Sequence, residues 1–290
     1  MDQLAEFAEN RPRLLGLAYR MLGEASEAED VLQDAYLRWA RTGPVEVPAA
    51  WLTKVVTNLC LSRLGSARVR RETYVGPWLP EPVFTTGGQF GPLEQVEQRE
   101  SLSLGVLVLL ERLTPPERAA FVLREAFGYR HREVADVLDM DEAHARQLYR
   151  RAREHVGEPR RRFTASPGHR EELVRRFLAA ALEGDVAGLE GLLAEDVVAW
   201  SDGGGKVSAA RRPVEGRPAV ARLFIGLAAH PRATRMDVSI RTVNGEPAIV
   251  VHEAGDLYMI VCLEANDGRV TGLRSVLNPD KLAFAAAQQV

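Results

Sequence analysis

The 290-residue chain has two cysteines, Cys60 and Cys262, each inside an apolar run. With no Cys-x-x-Cys pair and no metal-ligand spacing of Cys or His, they exclude a disulfide scaffold and a zinc module. Both read as buried thiols of a reducing compartment. Long apolar runs are also missing: the longest, residues 102–113, is too short to cross a bilayer. The N-terminal MDQLAEFAEN is acidic and amphipathic, which is not the pattern of a secretory signal, so the chain reads as cytoplasmic with no membrane partner. No internal repeat is visible. A net basic charge is absent too, the formal balance being −3. What remains is a globular composition, 46% hydrophobic and 27% charged, over a length that implies two or three domains.

The charge is unevenly distributed. Residues 54–71 hold Lys54, Arg63, Arg68, Arg70 and Arg71 and no acid, and residues 146–162 hold seven arginines against Glu154 and Glu158. Two basic patches in an acidic chain suggest two contacts with one polyanion.

The second patch ends a three-helix pattern. Thr114-Pro115-Pro116 opens a helix that Gly128 stops. A short helix follows from about residue 131 to 138. Asp139-Met140-Asp141 breaks it, and Asp141 can cap the next helix. That helix carries an apolar stripe of Ala145, Leu148, Tyr149, Ala152 and Val156, with Glu142, Arg146, Gln147 and Arg150 opposite. This is a helix-turn-helix pattern, although an arginine-rich helix by itself is just as well a solvated face.

Residues 1–73 read as helical. The expectations are a helix over 11–22 closed by Gly23, a capping box at Ser26-Glu27-Ala28-Glu29, and a helix burying Val31, Leu32, Ala35, Tyr36 and Trp39. After Pro48 comes a helix that starts apolar and ends basic. Residues 74–98 contain four prolines and four glycines, a linker composition, but Tyr74, Trp78, Leu79, Val83, Phe84 and Phe90 favour docking on another surface of the protein. From His169 onward, helices (one of them over 186–196) give way to alternating strands with turns at Asn244-Gly245, Gly255 and Asp267-Gly268. This pattern describes an α+β domain with an antiparallel meander.

The strings EDVLQDAYLRWAR and WLTKVVTNLCLSRL, followed by the helix-turn-helix, resemble regions 2 and 4 of a bacterial extracytoplasmic-function (ECF) sigma factor. The remainder resembles a SnoaL-like domain of the ketosteroid-isomerase-like superfamily. Three short motifs are similar to those of the ECF subgroup with this appendix: Trp78-Leu79-Pro80-Glu81-Pro82, Asp202-Gly203-Gly204-Gly205-Lys206 and Asn278-Pro279-Asp280-Lys281-Leu282. The fold implied is multi-domain: two all-α modules, then an α+β SnoaL-like cone. The implied boundaries are 1–73 (region 2), 74–98 (linker), 99–160 (region 4) and 161–290 (SnoaL-like).

The resemblance implies roles residue by residue. Asp30, Gln33, Asp34 and Arg41 fall on the polymerase-binding helix. Lys54, Thr57, Asn58, Arg63, Arg68, Arg70 and Arg71 fall on the segment that opens and reads the minus-ten element. Trp51 reads more simply as core. His144, Arg146, Gln147, Arg150 and Arg151 are the candidate readers of the minus-thirty-five element, since arginine pairs with guanine edges and glutamine with adenine. The three motifs imply interdomain regulatory contacts, with Asp202 at a tight turn and Lys206, Lys281 and Leu282 holding the linker around Trp78, Leu79 and Pro80.

The function implied is an alternative sigma factor regulated in cis, with core RNA polymerase and double- and single-stranded promoter DNA as partners. No separate anti-sigma protein, cofactor, metal or catalytic residue is called for, and a small ligand in the SnoaL-like pocket is left open. The alternative is an isomerase, hydrolase or ligand sensor fused to a DNA-binding module, with Asp202, His230, His252, Glu253 and Asp256 as titratable candidates.

Overall fold

Gly23, at φ +73°, turns the chain between the first two helices. In the computed structural model, which describes residues 3–86, 89, 90, 101–157 and 167–289 (backbone alone for 67–70, 72 and 167), helix α1 is Gln3–Leu22, α2 is Ala25–Trp39 and α3 is Pro48–Glu72. The first helix starts earlier than its sequence pattern predicts. Phe7 packs edge-on against Tyr36 at 5.1 Å, and the Trp39 indole donates to the Gln3 carbonyl, so contacts with α2 hold the added turns in place. The capping box expected at Ser26 is not formed: α2 begins at Ala25 with Glu24 in the N-cap position. The tight Gly23 turn and the full burial of Ala25 start the helix before Ser26 is reached.

Among the described residues, the first compact unit, Met1–Thr73 with Thr85–Glu158, also holds α4 (Leu104–Leu110), α5 (Pro115–Glu125), α6 (His131–Leu138) and α7 (Glu142–Val156). Thr114 and Glu117 form a capping box at the start of α5, and the Asp141 carboxylate accepts from the His144 amide at 2.8 Å to cap α7. Ala145, Leu148, Ala152 and Val156 are buried as the stripe requires, while Tyr149 stays half-exposed because its hydroxyl reaches out to Glu125. Buried Arg118 ties α5 to α1, donating to the Met21 carbonyl at 2.8 Å and to Glu111, and burial lowers its pKa to about 10. Phe90 lies on Tyr19, ring centres 5.2 Å apart, with its carbonyl directly over Gly16.

The second unit joins Tyr74–Phe84 to Pro159–Val290. It holds α8 (Pro167–Glu183), α9 (Val186–Leu192), β1 (Leu193–Asp202), β2 (Val214–Glu215), α10 (Arg217–Ala228), β3 (Met236–Val243), β4 (Glu246–Glu253), β5 (Asp256–Asn266), β6 (Arg269–Val276) and α11 (Pro279–Ala287). The sheet order is β2-β1-β6-β5-β4-β3. Strands β3 to β6 form the expected meander, but β1 pairs parallel to β6. The helix expected over 186–196 stops at Leu192, because Leu193, Val197 and Ala199 point into the sheet core.

That core packs α8, α9 and α10 on one face of the sheet. Phe177 meets Phe224 edge-on at 5.2 Å above Ile249, Val261, Leu263 and Leu273. The alternate row of register partners runs Val250, Ile260, Val276, Asp202 and therefore faces the other way. Helix α11 packs on β5, burying Leu282 and Ala285. The Phe84 amide donates to the Gln288 side chain and the Val83 amide to Asn244, so the linker segment runs beside α11 and β3.

Candidate functional site

The three short motifs meet around Asp202, which is fully buried at the end of β1. Both of its carboxylate oxygens are occupied. Oδ1 accepts from the Tyr74 hydroxyl at 2.5 Å and from the Gly204 amide at 3.1 Å. Oδ2 accepts from the Leu79 amide at 2.8 Å and from Lys281 Nζ at 2.7 Å. Lys281 also donates to the Leu79 carbonyl, and its ammonium sits 4.6 Å from the Tyr74 ring centre and 4.2 Å from that of Trp78. Burial, then the Asp202 carboxylate, pushes the Tyr74 phenol above its ordinary range.

The sequence builds this cage locally. Asn278 caps α11 by accepting from the Asp280 amide, with Pro279 in the first helical turn, and this aims Lys281 inward. The Asn278 amide group donates to the Tyr74 hydroxyl at 2.8 Å. Gly204 adopts φ +58° so close to Asn278 that a side chain there would collide with it. Gly203 is hemmed in by Val207 and Ala209, and Gly205 by Val75. Lys206 pairs with Asp280 at 2.5 Å on the exposed rim. Leu79 and Pro80 are buried, as are Val83 and Phe84.

In the first unit, His144, Arg146, Gln147, Arg150 and Arg151 all lie exposed on α7. Arg146 pairs with Glu142 at 2.7 Å and Arg150 with Glu154 at 3.8 Å, each one turn away on the exposed helix surface. A solvent-open cleft lined by His131, Arg146, Tyr149, Arg150 and Arg153 runs along this helix. On α2, Asp30, Gln33 and Leu37 are exposed and Asp34 is half-buried, while Arg41, expected on the same helix, is exposed in the turn after it because α2 ends at Trp39.

The basic face expected of α3 is largely not formed. Thr57 is fully buried, so it does not face a base; its position on the helix points into the core beside Val56 and Cys60. Arg63 turns away from solvent and donates to Glu27 at 2.7 Å and Asp34 at 2.9 Å. Arg71 pairs with Glu24 and Glu111 and donates to the Leu22 carbonyl. Lys54 pairs with Asp139 and donates to the Asp136 carbonyl at 3.1 Å. Asn58 is exposed, and the side chains of Arg68 and Arg70 lie outside the described residues. Composition counted these cations as one patch; the carboxylates that neutralise them are far away in sequence. Asp139 shows only as a helix break in the sequence, and Glu27 only as a capping-box neighbour.

The remaining titratable candidates do not converge. His230 caps a 3-10 turn through its ring nitrogen, Glu253 is clamped by Arg232, His252 meets Gln289, and Asp256 is exposed at the start of β5. Among the described residues no group of three or more His, Cys, Asp or Glu side chains is placed to hold a metal, and no helix is long and apolar enough to cross a membrane.

Three family patterns match along the chain: Sigma-70 region 2 over residues 7–70, Sigma-70 region 4 over residues 103–156, and the SnoaL-like domain over residues 174–276. The chain is 39% identical to the ECF RNA polymerase sigma factor SigJ of Mycobacterium tuberculosis, across 96% of this chain and 93% of that protein. It belongs to the ECF RNA polymerase sigma factors. It is also 28% identical, across 96% of its length and 94% of the other's, to the probable sigma factor SigI of the same species. The crystal structure of SigJ superposes on this sigma factor with a TM-score of 0.79, covering 97% of this chain and 99% of that one at 36% identity.

Proposed function

We propose that this sigma factor binds core RNA polymerase through Asp30, Gln33 and Asp34 of α2 and Arg41 just beyond it, and contacts a promoter at two separated places. Helix α3 serves the minus-ten element through Lys54, Asn58, Arg68 and Arg70. Helix α7 serves the minus-thirty-five element through His144, Arg146, Gln147, Arg150 and Arg151. Two contacts joined by a linker make linker geometry decisive, because region 4 reaches its element only as far as the linker allows.

The SnoaL-like unit acts in cis by gripping that linker. The observation that carries this is Asp202, with four donors filling its two oxygens and two of those donors coming from residues 74–79. A carboxylate so occupied positions a chain segment; a general base keeps a free oxygen for its substrate. We infer that the unit works by contact and not by turnover.

The test is run-off transcription with core polymerase, comparing the full chain with a truncation after Arg162. Both forms are expected to initiate, with different promoter strength. Absence of initiation by either form, on any promoter including that of its own gene neighbourhood, overturns the reading.

A further inference from the structure

Lys54 is the one cation on the first half of α3, and its partner is an unusual one. Asp139 ends α6 in the left-handed conformation, φ 53°, which a carboxylate side chain tolerates better than most. This places the carboxylate on the Lys54 ammonium while the Asp136 carbonyl, in the last turn of α6, accepts a second bond at 3.1 Å. Lysine therefore meets a formal negative charge backed by the negative end of a helix dipole. Nearby, Arg13 donates to the Thr53 and Tyr129 hydroxyls at 3.1 and 2.8 Å and lies over the Phe127 and Tyr129 rings, seating the α5–α6 turn against α1 and α3.

We propose that Asp139 is an internal phosphate mimic: it occupies Lys54 in the free chain and must be displaced by the promoter backbone before Lys54 can hold DNA. This rests on the reading of α3 as a promoter-contacting helix. Oxygen acceptors carrying negative charge are what a nucleic-acid backbone presents to lysine. The pair is open to solvent, 38% exposed on the lysine and 71% on the aspartate, so a phosphate can exchange with the carboxylate without the unit unfolding. The contact thus lowers DNA affinity of the free chain at the region 2 end. Because the carboxylate comes from the helix-turn-helix module, capture of Lys54 by DNA also loosens one contact of that module with region 2.

The experiment uses the full chain without polymerase and a labelled single strand of mixed sequence, since a phosphate contact is independent of sequence. Asp139→Asn keeps the side-chain shape and tolerates the left-handed backbone, but removes the charge. The expected result is a gain in affinity of about two- to fivefold at low salt, the range of an exposed ion pair. The slope of log affinity against log salt steepens by about 0.7, one extra phosphate on a single strand. Both changes vanish in a Lys54→Gln background. An unchanged affinity and slope in Asp139→Asn, or a gain that survives Lys54→Gln, overturns the proposal. Initiation by the wild-type chain with core polymerase, run in parallel, reports on the sigma-factor reading separately.

Discussion

Asp202 and Lys281 face each other at 2.7 Å with side chains 0% and 7% exposed, the strand end and the final helix locked across a linker carbonyl and amide. Such a pair adds little net stability compared with apolar residues of the same shape, but losing one partner strands the other. Lys281→Met is therefore expected to destabilise the C-terminal unit by about 3–5 kcal/mol. Chemical denaturation followed by tryptophan fluorescence measures it, Trp78 lying against the mutated position. A Lys281→Met chain as stable as the parent would show that the pair holds nothing.

Gly16 sets a second expectation. A methyl at this position runs into the Phe90 carbonyl and the Arg20 guanidinium. Gly16→Ala should cost about 1–3 kcal/mol by overpacking, although alanine favours helix. Phe90→Ala keeps that carbonyl but removes the ring that holds it against Tyr19, so the segment can give way and the double variant should lose less than the sum of the two single losses. Strict additivity in thermal unfolding would argue that Phe90 is not the obstacle.

Helix α7 makes a prediction about specificity. Gln147→Ala and Arg146→Ala should each relax preference at one base pair of the minus-thirty-five element, by about 1–3 kcal/mol for a bidentate contact. Arg151→Ala should weaken all promoters alike if it tracks the backbone. Transcription from a promoter library with holoenzyme separates the two patterns.

Glu117 gives the first unit a pH dependence. Burial pushes its carboxyl up, but the Thr114 amide and hydroxyl, helped by His155, outweigh burial and hold it below its ordinary value of 4.5. A depressed carboxylate stabilises the fold fully above that ordinary value, and the contribution fades as pH falls through the lowered one. Acid titration of the helical signal should show this loss in the parent and not in Glu117→Gln, which keeps a capping acceptor but does not titrate. Equal acid sensitivity in both chains would assign the transition to other groups.

The helix-turn-helix was readable almost to the residue because its punctuation is local: Thr114-Pro115, Gly128 and Asp141 each act on their own helix end. The linker cage was readable as three motifs plus a set of aromatic residues that water disfavours, but their convergence on Asp202 needed the sheet. The basic face of α3 was misread for the opposite reason. Lys54, Arg63 and Arg71 form a patch only when their distant carboxylate partners, Asp139, Glu27 and Glu111, are left out. The parallel β1–β6 pairing was likewise invisible, since hairpin turns announce antiparallel neighbours and nothing local announces a parallel one. The capping box at Ser26 failed because a tight turn at Gly23 outranked a side-chain signal three residues later.

The linker segment and the helix that fastens it lie far apart in the chain, Leu79 and Lys281 being 202 residues from each other. At about 5–20 residues per second, a ribosome needs on the order of ten to forty seconds to get from one to the other. Throughout that interval Tyr74, Trp78 and Leu79 have been made while Lys281 has not. Both DNA-contacting modules are thus complete before the cage can close, and every newly made molecule passes through a period in which its linker is still free of Lys281.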